Sequence, residues 1–404
     1  MCLCNTFAVP TSISSLTTPH RVGRHVRQAY WQLRQWLGAV RMALSSSGSL
    51  SVHTAELGVW LDQAHQSAHD DMRGRHLLVF TYLPWWVDFM AAVSATLIGR
   101  GADVTFAWLP YATFDRETAD LDERIVARYA PVLTKPRARF RSINLAQVAA
   151  PLAPVTDQLK RMAYVDTQYV RRREEVDING GDRELHDFRL KRLRQAHGSF
   201  TRLINEKPYD SILLPSGGVL EFAAVCQAAT ESRANSITIE TWERRGACAV
   251  AYGRPVFNEI AKEIWEADSH HLDAARRARV ETNMRGREGA GWTGHIISYQ
   301  NAALKGAEEL RAQLGLDDRR PVALICPNVP YDAAFLGLRT GFDSMADWLR
   351  TVLRELAGRN DWQVVVRSHP GELALDTRQS AASIFHEVFA QSPEHIRFVA
   401  PPIR

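Results

Sequence analysis

Short apolar runs that stop abruptly in polar and turn residues recur along this chain. Between them, apolar positions return every three to four residues, the signature of helices packed by one face. The stretch from Pro321 to Glu372 shows the pattern best. It opens with PVALICPNVPYD (Pro321 to Asp332) and closes with WQVVVRSHPGE (Trp362 to Glu372). Between these runs Met345, Trp348, Leu349, Val352, Leu353 and Leu356 share one face, which predicts a helix over Ser344 to Arg359. Strand, crossover helix and strand make a βαβ unit, whose two strands run parallel.

The same grammar is found upstream. HLLVFTYL (His76 to Leu83) predicts a strand, Val87 to Arg100 a helix and DVTFAWL (Asp103 to Leu109) a second strand, with Gly99 and Gly101 stopping the helix. Leu77 to Gly99 is apolar enough to resemble a membrane span, but Pro84, the PWW turn and Asp88 interrupt it, so it is expected to be strand plus buried helix. No GxGxxG follows the first strand, which excludes the dinucleotide fingerprint. Thr113 to Ala130 reads as helix and Arg139 to Leu145 as a third strand. Leu152 to Tyr169 and Asp182 to Asn205 read as helices, the second so dense in Arg, Lys and His that its charges are expected to face solvent. Tyr209 to Gly218 is a strand ending in Ser216, Gly217 and Gly218, followed by a helix over Val219 to Ser232 and a strand over Asn235 to Glu243. Pro255 to Arg285 is mainly helical. Gly286 to Gly294 is a glycine-rich break taken as the domain boundary, and Ala302 to Leu314 is a helix. After Glu372, Ser380 to Gln391 is predicted helical and His395 to Pro401 a strand. The fold class is therefore α/β: an N-terminal Rossmann-like domain over 73–285, a linker and helix over 286–318, and a C-terminal domain over 319–404. Only about 85 residues follow the linker, where a doubly wound domain runs through several more units, so the C-terminal domain is expected to be truncated.

Bulk composition narrows the function. A net charge of +4 over 404 residues gives no general nucleic-acid footprint, and 23% charged residues is ordinary for a globular protein. The five cysteines have no regular spacing, which argues for a reducing, cytoplasmic setting. Cys226, Cys248 and Cys326 sit in apolar runs and are expected to be buried thiols. Residues 1–72 form an extension. Arg21 to Leu44 alternates arginines with apolar residues and no acid, as in a helix lying on an anionic inner membrane face or one packed on the next domain with a solvated basic face.

Candidate chemistry collects where strands end. In open α/β sheets ligands bind beyond the carboxyl ends of the strands. Asn328, Asp332, Arg367, His369 and Glu372 fall there, and a cation, an imidazole and backbone donors at such an edge suit a phosphate. Ser216, Gly217 and Gly218 let the backbone approach a ligand. Glu221 is a candidate general base facing an interdomain cleft, although an acid in a first helical turn also answers the helix dipole. Glu240, a carboxylate ending an apolar strand, is a second candidate. Arg244, Arg245 and Arg254 lie just beyond it, placed to hold an anionic acceptor or to cap helix ends. No metal motif stands out, so neither a metal nor any other cofactor is expected.

PNVPYD (Pro327 to Asp332), SMADWL (Ser344 to Leu349) and VVRSHPGE (Val365 to Glu372) resemble segments of capsule and surface polysaccharide biosynthesis proteins of GT-B architecture, in which two Rossmann-like domains face each other across a cleft. The His-Pro pair is similar to the HP motif of bacterial sialyltransferases and Kdo transferases. That resemblance implies that His369 touches the phosphate of a CMP-activated sugar, with Pro370 fixing the turn. It further implies a glycosyltransferase whose partners are a nucleotide sugar and a glycan or glycolipid acceptor, with no nucleic acid. A non-hydrolysing nucleotide-sugar epimerase and a non-catalytic assembly protein share that architecture and stay open.

Overall fold

A computed structural model of the chain describes residues 54, 56–66, 70–241, 248–257, 266, 273–288, 306–337, 341–374 and 376–400. The predicted basic helix at Arg21 to Leu44, the arginines Arg244 and Arg245, and most of the predicted linker lie outside these residues. The chain divides into two units, Met1–Glu56 and Leu57–Arg404, and both of its sheets belong to the second.

The larger sheet has six strands in the order β3-β2-β1-β4-β5-β6. β1 (His76–Tyr82), β2 (Asp103–Leu109), β3 (Phe140–Asn144), β4 (Ser211–Pro215) and β5 (Asn235–Thr241) are parallel, and β6 (Cys248–Tyr252) runs antiparallel to β5. The chain order reverses between β1 and β4, a topological switch point. β1 and β2 are buried on both faces beyond their first residue, which is why they read as unbroken apolar runs rather than alternating ones. On one face α1 (Pro84–Gly99) and α2 (Ala119–Leu133) cover Leu77, Val79, Phe106 and Trp108. Leu57 and Leu61 join this core from upstream of Arg73. On the other face α4 (Arg183–Glu206) and α5 (Leu220–Thr230) bring Phe200 and Phe222 edge-on to Phe80, with ring centroids 5.7 and 6.0 Å away. α3 (Asp157–Arg171) packs outside them, its first turn capped by Thr156, whose hydroxyl accepts the Leu159 N–H.

The smaller sheet is parallel, in the order β7-β8-β9: β7 (Val322–Ile325), β8 (Gln363–Arg367) and β9 (Ile396–Val399). α8 (Met345–Ala357) crosses from β7 to β8 and buries Ala346, Leu349 and Leu353 against Val364 and Val366. Ser344 caps it, its hydroxyl accepting the Asp347 N–H. α9 (Gly371–Ala374) is a single turn after β8, and α10 (Ala381–Val388) completes the layer. α6 (Ala274–Glu288) and α7 (Ala307–Leu314) lie between the sheets in sequence.

Several expectations change. The PWW turn is the first turn of α1, because a proline at the first helical position gives up no needed N–H. α6 passes through Gly286, so the predicted glycine break does not begin there. β6 has no counterpart in the sequence reading. Cys226 is buried as expected, but Cys248 and Cys326 are exposed. Among the described residues no helix is long and apolar enough to cross a membrane.

A polar seam joins the two sheet layers. The Glu174 carboxylate, in the loop after α3, accepts the N–H groups of Met345 and Ala346 at 2.9 and 2.8 Å, the first turn of α8. The Gln379 side-chain oxygen accepts the N–H groups of Glu174 and Glu175 at 2.9 and 3.1 Å. Arg350 pairs with Glu175 and Arg172 with Asp376.

Candidate functional site

The strands flanking the switch point both end in left-handed backbone. Leu83 follows β1 at φ 69°, while Ser216, Gly217 and Leu220 follow β4 at 53°, 80° and 58°. A Cβ on Gly217 would lie 3.0 Å from the Cys226 sulfur and the Thr238 methyl, so glycine is required there. Leucine has no such licence at Leu220. Its conformation is held by the Asp166 carboxylate, which accepts the Leu220 N–H at 2.6 Å. Strained residues of this kind persist only where their surroundings over-determine them.

Those surroundings form a buried charge cluster. Arg189, fully buried on α4, donates through Nε to Asp166 at 3.1 Å and places Nη2 3.0 Å from Glu221. Its Nη1 donates to the Phe114 carbonyl at 3.3 Å. Burial pushes the Asp166 carboxyl up to about 6 against the pull of Arg189. Burial alone would raise Glu221 too, but the Arg189 and Arg192 guanidiniums outweigh it and hold that carboxyl below its ordinary value. Arg192 itself lies flat on Tyr111, 3.4 Å from the ring centroid. Glu221 is therefore not a base facing a cleft. It is 1% exposed, turned toward α4 and locked to a guanidinium beneath the turn. The arginines of α4 correct a second expectation, since Arg189 and Arg192 lie inside rather than in solvent.

Glu240 fits the candidate role better. It is half-buried near the end of β5 and accepts the Thr241 N–H at 3.1 Å, with the Ser216 hydroxyl also close. Burial raises its carboxyl above the usual range. A Cβ added at Gly218 would stand 3.9 Å from the Ala333 carbonyl oxygen, so the β4 turn lies near the loop after β7. Tyr169 sits at this junction, where burial raises its phenol and Arg172, Asp332 and Glu240 all act on it.

The loop after β7 is shaped by its own side chains. Asn328 donates to Asp332 at 3.0 Å and accepts the Val329 N–H, while Asp332 accepts the Ala334 N–H at 3.0 Å. Arg367 ends β8 half-buried, and its guanidinium makes no hydrogen bond or ion pair among the described residues. The His369 Nδ1 accepts the Gly371 N–H at 3.0 Å, so Nε2 carries the ring's proton. Burial lowers the imidazole's pKa, with Asp332 opposing, which favours the neutral ring. Glu372 faces away from this edge. It is 7% exposed, accepts the Ala381 N–H at 2.8 Å at the start of α10, and is pushed up to about 7 by burial.

Asn328, Asp332, His369 and Arg367 thus gather at the carboxyl edge of the smaller sheet, and Ser216, Gly217, Gly218 and Glu240 at that of the larger one. Glu221 and Glu372 serve packing instead. Asp166, Arg189 and Tyr169 escaped the sequence reading. Their signal was positional: Leu185, Arg189, Arg192, Leu193, Ala196 and Phe200 share one helical face, and the two arginines lie within its apolar stripe.

No protein-family model matches the sequence, and no curated protein matches it. Among solved structures the chain is similar to a UDP-GlcNAc 2-epimerase from Neisseria meningitidis bound to UDP-GlcNAc. Identity is 9%, with 82% of this chain and 73% of that one covered and a TM-score of 0.22, a similarity too low to assign any residue a role.

Proposed function

We propose that the chain binds the phosphate of a nucleotide-activated sugar at the carboxyl edge of β7 and β8, opposite the Ser216–Gly218 turn, and transfers the sugar to a glycan or glycolipid acceptor. The observation that carries this reading is Arg367. A guanidinium with no side-chain partner among the described residues, at the strand end that leads into the His-Pro pair, is a cation placed to hold a phosphate. As the bond from sugar to phosphate breaks, negative charge grows on the leaving oxygen, and fixed donors at that place lower the barrier. Asn328 and Asp332 stiffen the loop that positions the donor. Glu240 takes the proton of the acceptor hydroxyl, and a carboxyl raised by burial is better matched to that task than an ordinary one. CMP-sugars are the first donors to test because of the His-Pro pair, followed by UDP- and GDP-sugars. A glycolipid acceptor places the reaction at a membrane face.

The test incubates each donor with and without an oligosaccharide acceptor and separates the products. Release of nucleotide that depends on acceptor, falling roughly a hundredfold or more in Glu240→Gln, is the expected result. An isomerised sugar formed from donor alone would replace this reading with an epimerase.

A further inference from the structure

We propose a second anion site at the opposite, amino edge of the larger sheet, which takes a phosphate-bearing group carrying more than one negative charge. β1, β2 and β3 begin side by side there, with His76 opposite Asp103 and Thr105 opposite Arg141. Seven residues of strand separate this edge from the carboxyl edge, about 20 Å. The two sites therefore do not share a ligand group.

Between the strand starts lies a cavity of about 220 Å³ whose wall includes Arg137, Arg139, Arg141 and Lys207. His76, Asp103 and Thr105 complete its polar lining, the first two with side chains 3.9 Å apart. The cations are under-compensated. Arg137 donates to Asp62 at 2.7 Å, but Asp62 also holds Lys135. Arg139 is 3.7 Å from Asp70, which also holds Arg73. Arg141 and Lys207 pair with no carboxylate among the described residues. The Lys207 ammonium stands 5.0 Å over the Tyr209 ring, which fixes it in place.

A second observation points to a ligand. The Arg137 side chain is only 6% exposed, and its Nη2 is buried without a hydrogen-bond partner. Nη1 is satisfied by the Val132 and Lys135 carbonyls and Nε by Asp62, so this one donor is left over. A buried guanidinium donor without an acceptor is costly, and although Nη2 itself is closed to solvent, an anion in the cavity that Arg137 lines would offset the charge left uncompensated there. Three guanidiniums and an ammonium around so small a volume match a phosphomonoester or diphosphate better than a single carboxylate. The same chemistry is offered by a soluble phosphorylated molecule and by an anionic lipid headgroup.

Titration of the full chain carrying Arg367→Gln and His369→Ala, which remove the other proposed phosphate contacts, tests this. The probes are inorganic pyrophosphate followed by calorimetry, and vesicles of phosphatidylcholine with phosphatidic acid, whose headgroup is a phosphomonoester, or of phosphatidylcholine alone, followed by cosedimentation. Saturable binding is expected to weaken at least tenfold when Arg141→Gln and Lys207→Gln are added. Removing two exposed arginines elsewhere, with Arg124→Gln and Arg161→Gln, should change it less than twofold. Binding of pyrophosphate would identify a soluble phosphate as the source, and binding of phosphatidic acid vesicles alone a headgroup. Circular dichroism melts confirm that each variant folds. No saturable binding to either probe, or an equal loss in the control pair, would overturn the proposal.

Discussion

Replacing Arg189 by methionine removes the cation that Asp166 and Glu221 share. Removing one partner of a buried ion pair typically costs about 3–5 kcal/mol, because the remaining charge is left uncompensated in low dielectric. Here two carboxyls lose their partner at once, both almost fully excluded from water. At roughly 2–4 °C per kcal/mol for a domain of this size, the melting temperature should fall by about 10 °C. The sign of the pH dependence is also fixed. Asp166 is raised to about 6 in the fold, so its contribution is fully present below the ordinary carboxylate range and is lost as pH rises through about 6. Without Arg189, Glu221 loses the largest of the pulls that hold its carboxyl below its ordinary value, and burial shifts it upward as well. The deficit of the variant should therefore widen between pH 5 and pH 8. Calorimetric melts across that range measure it. Hydrogen exchange at the Leu220 amide, which Asp166 accepts, should quicken in step. A deficit below about 1 kcal/mol, or one that does not change with pH, would refute the view that this cluster holds the β4 turn.

Other buried carboxylates give two more tests. Glu174→Ala leaves two N–H groups of α8 without their acceptor and should lower the melting temperature of the smaller layer by several degrees, at about 2–3 kcal/mol. Small-angle scattering should also show looser layers, and unchanged scattering with an unchanged melt would rule out the seam as a tie between them. Glu372 is raised from 4.5 to about 7 by burial, so its contribution is lost as pH climbs through that interval. Glu372→Gln should flatten the stability profile between pH 4.5 and pH 7, and an identical slope in both proteins would contradict the assignment.

Much of the fold was legible because its strands are buried on both faces. Runs such as LLVFTY and VTFAWL leave little choice but a central parallel strand, and Leu77 to Gly99 could be read as strand and helix because Pro84 and Asp88 interrupt its apolar run. β6 was not legible, because four of its five residues are exposed or only half-buried and the apolar signal is correspondingly thin. The carboxyl-edge positions of Arg367 and His369 could be read from the sequence, since an edge follows from where an apolar run stops. The direction of Glu221 could not. A first-turn acid has several faces to choose from, and the one it takes is set by an arginine on another helix. Charges on α4 were assigned to solvent by their density, whereas position within the apolar stripe decided the fate of Arg189 and Arg192.

The most direct measurement is the affinity of the chain for CMP-, UDP- and GDP-sugars by calorimetry, with and without Arg367→Gln and His369→Ala. Loss of one charge-assisted contact to phosphate should weaken binding of the preferred donor by about tenfold or more in each variant, at roughly 1.5–3 kcal/mol apiece. Equal affinity in all three proteins would contradict a phosphate grip at the end of β8.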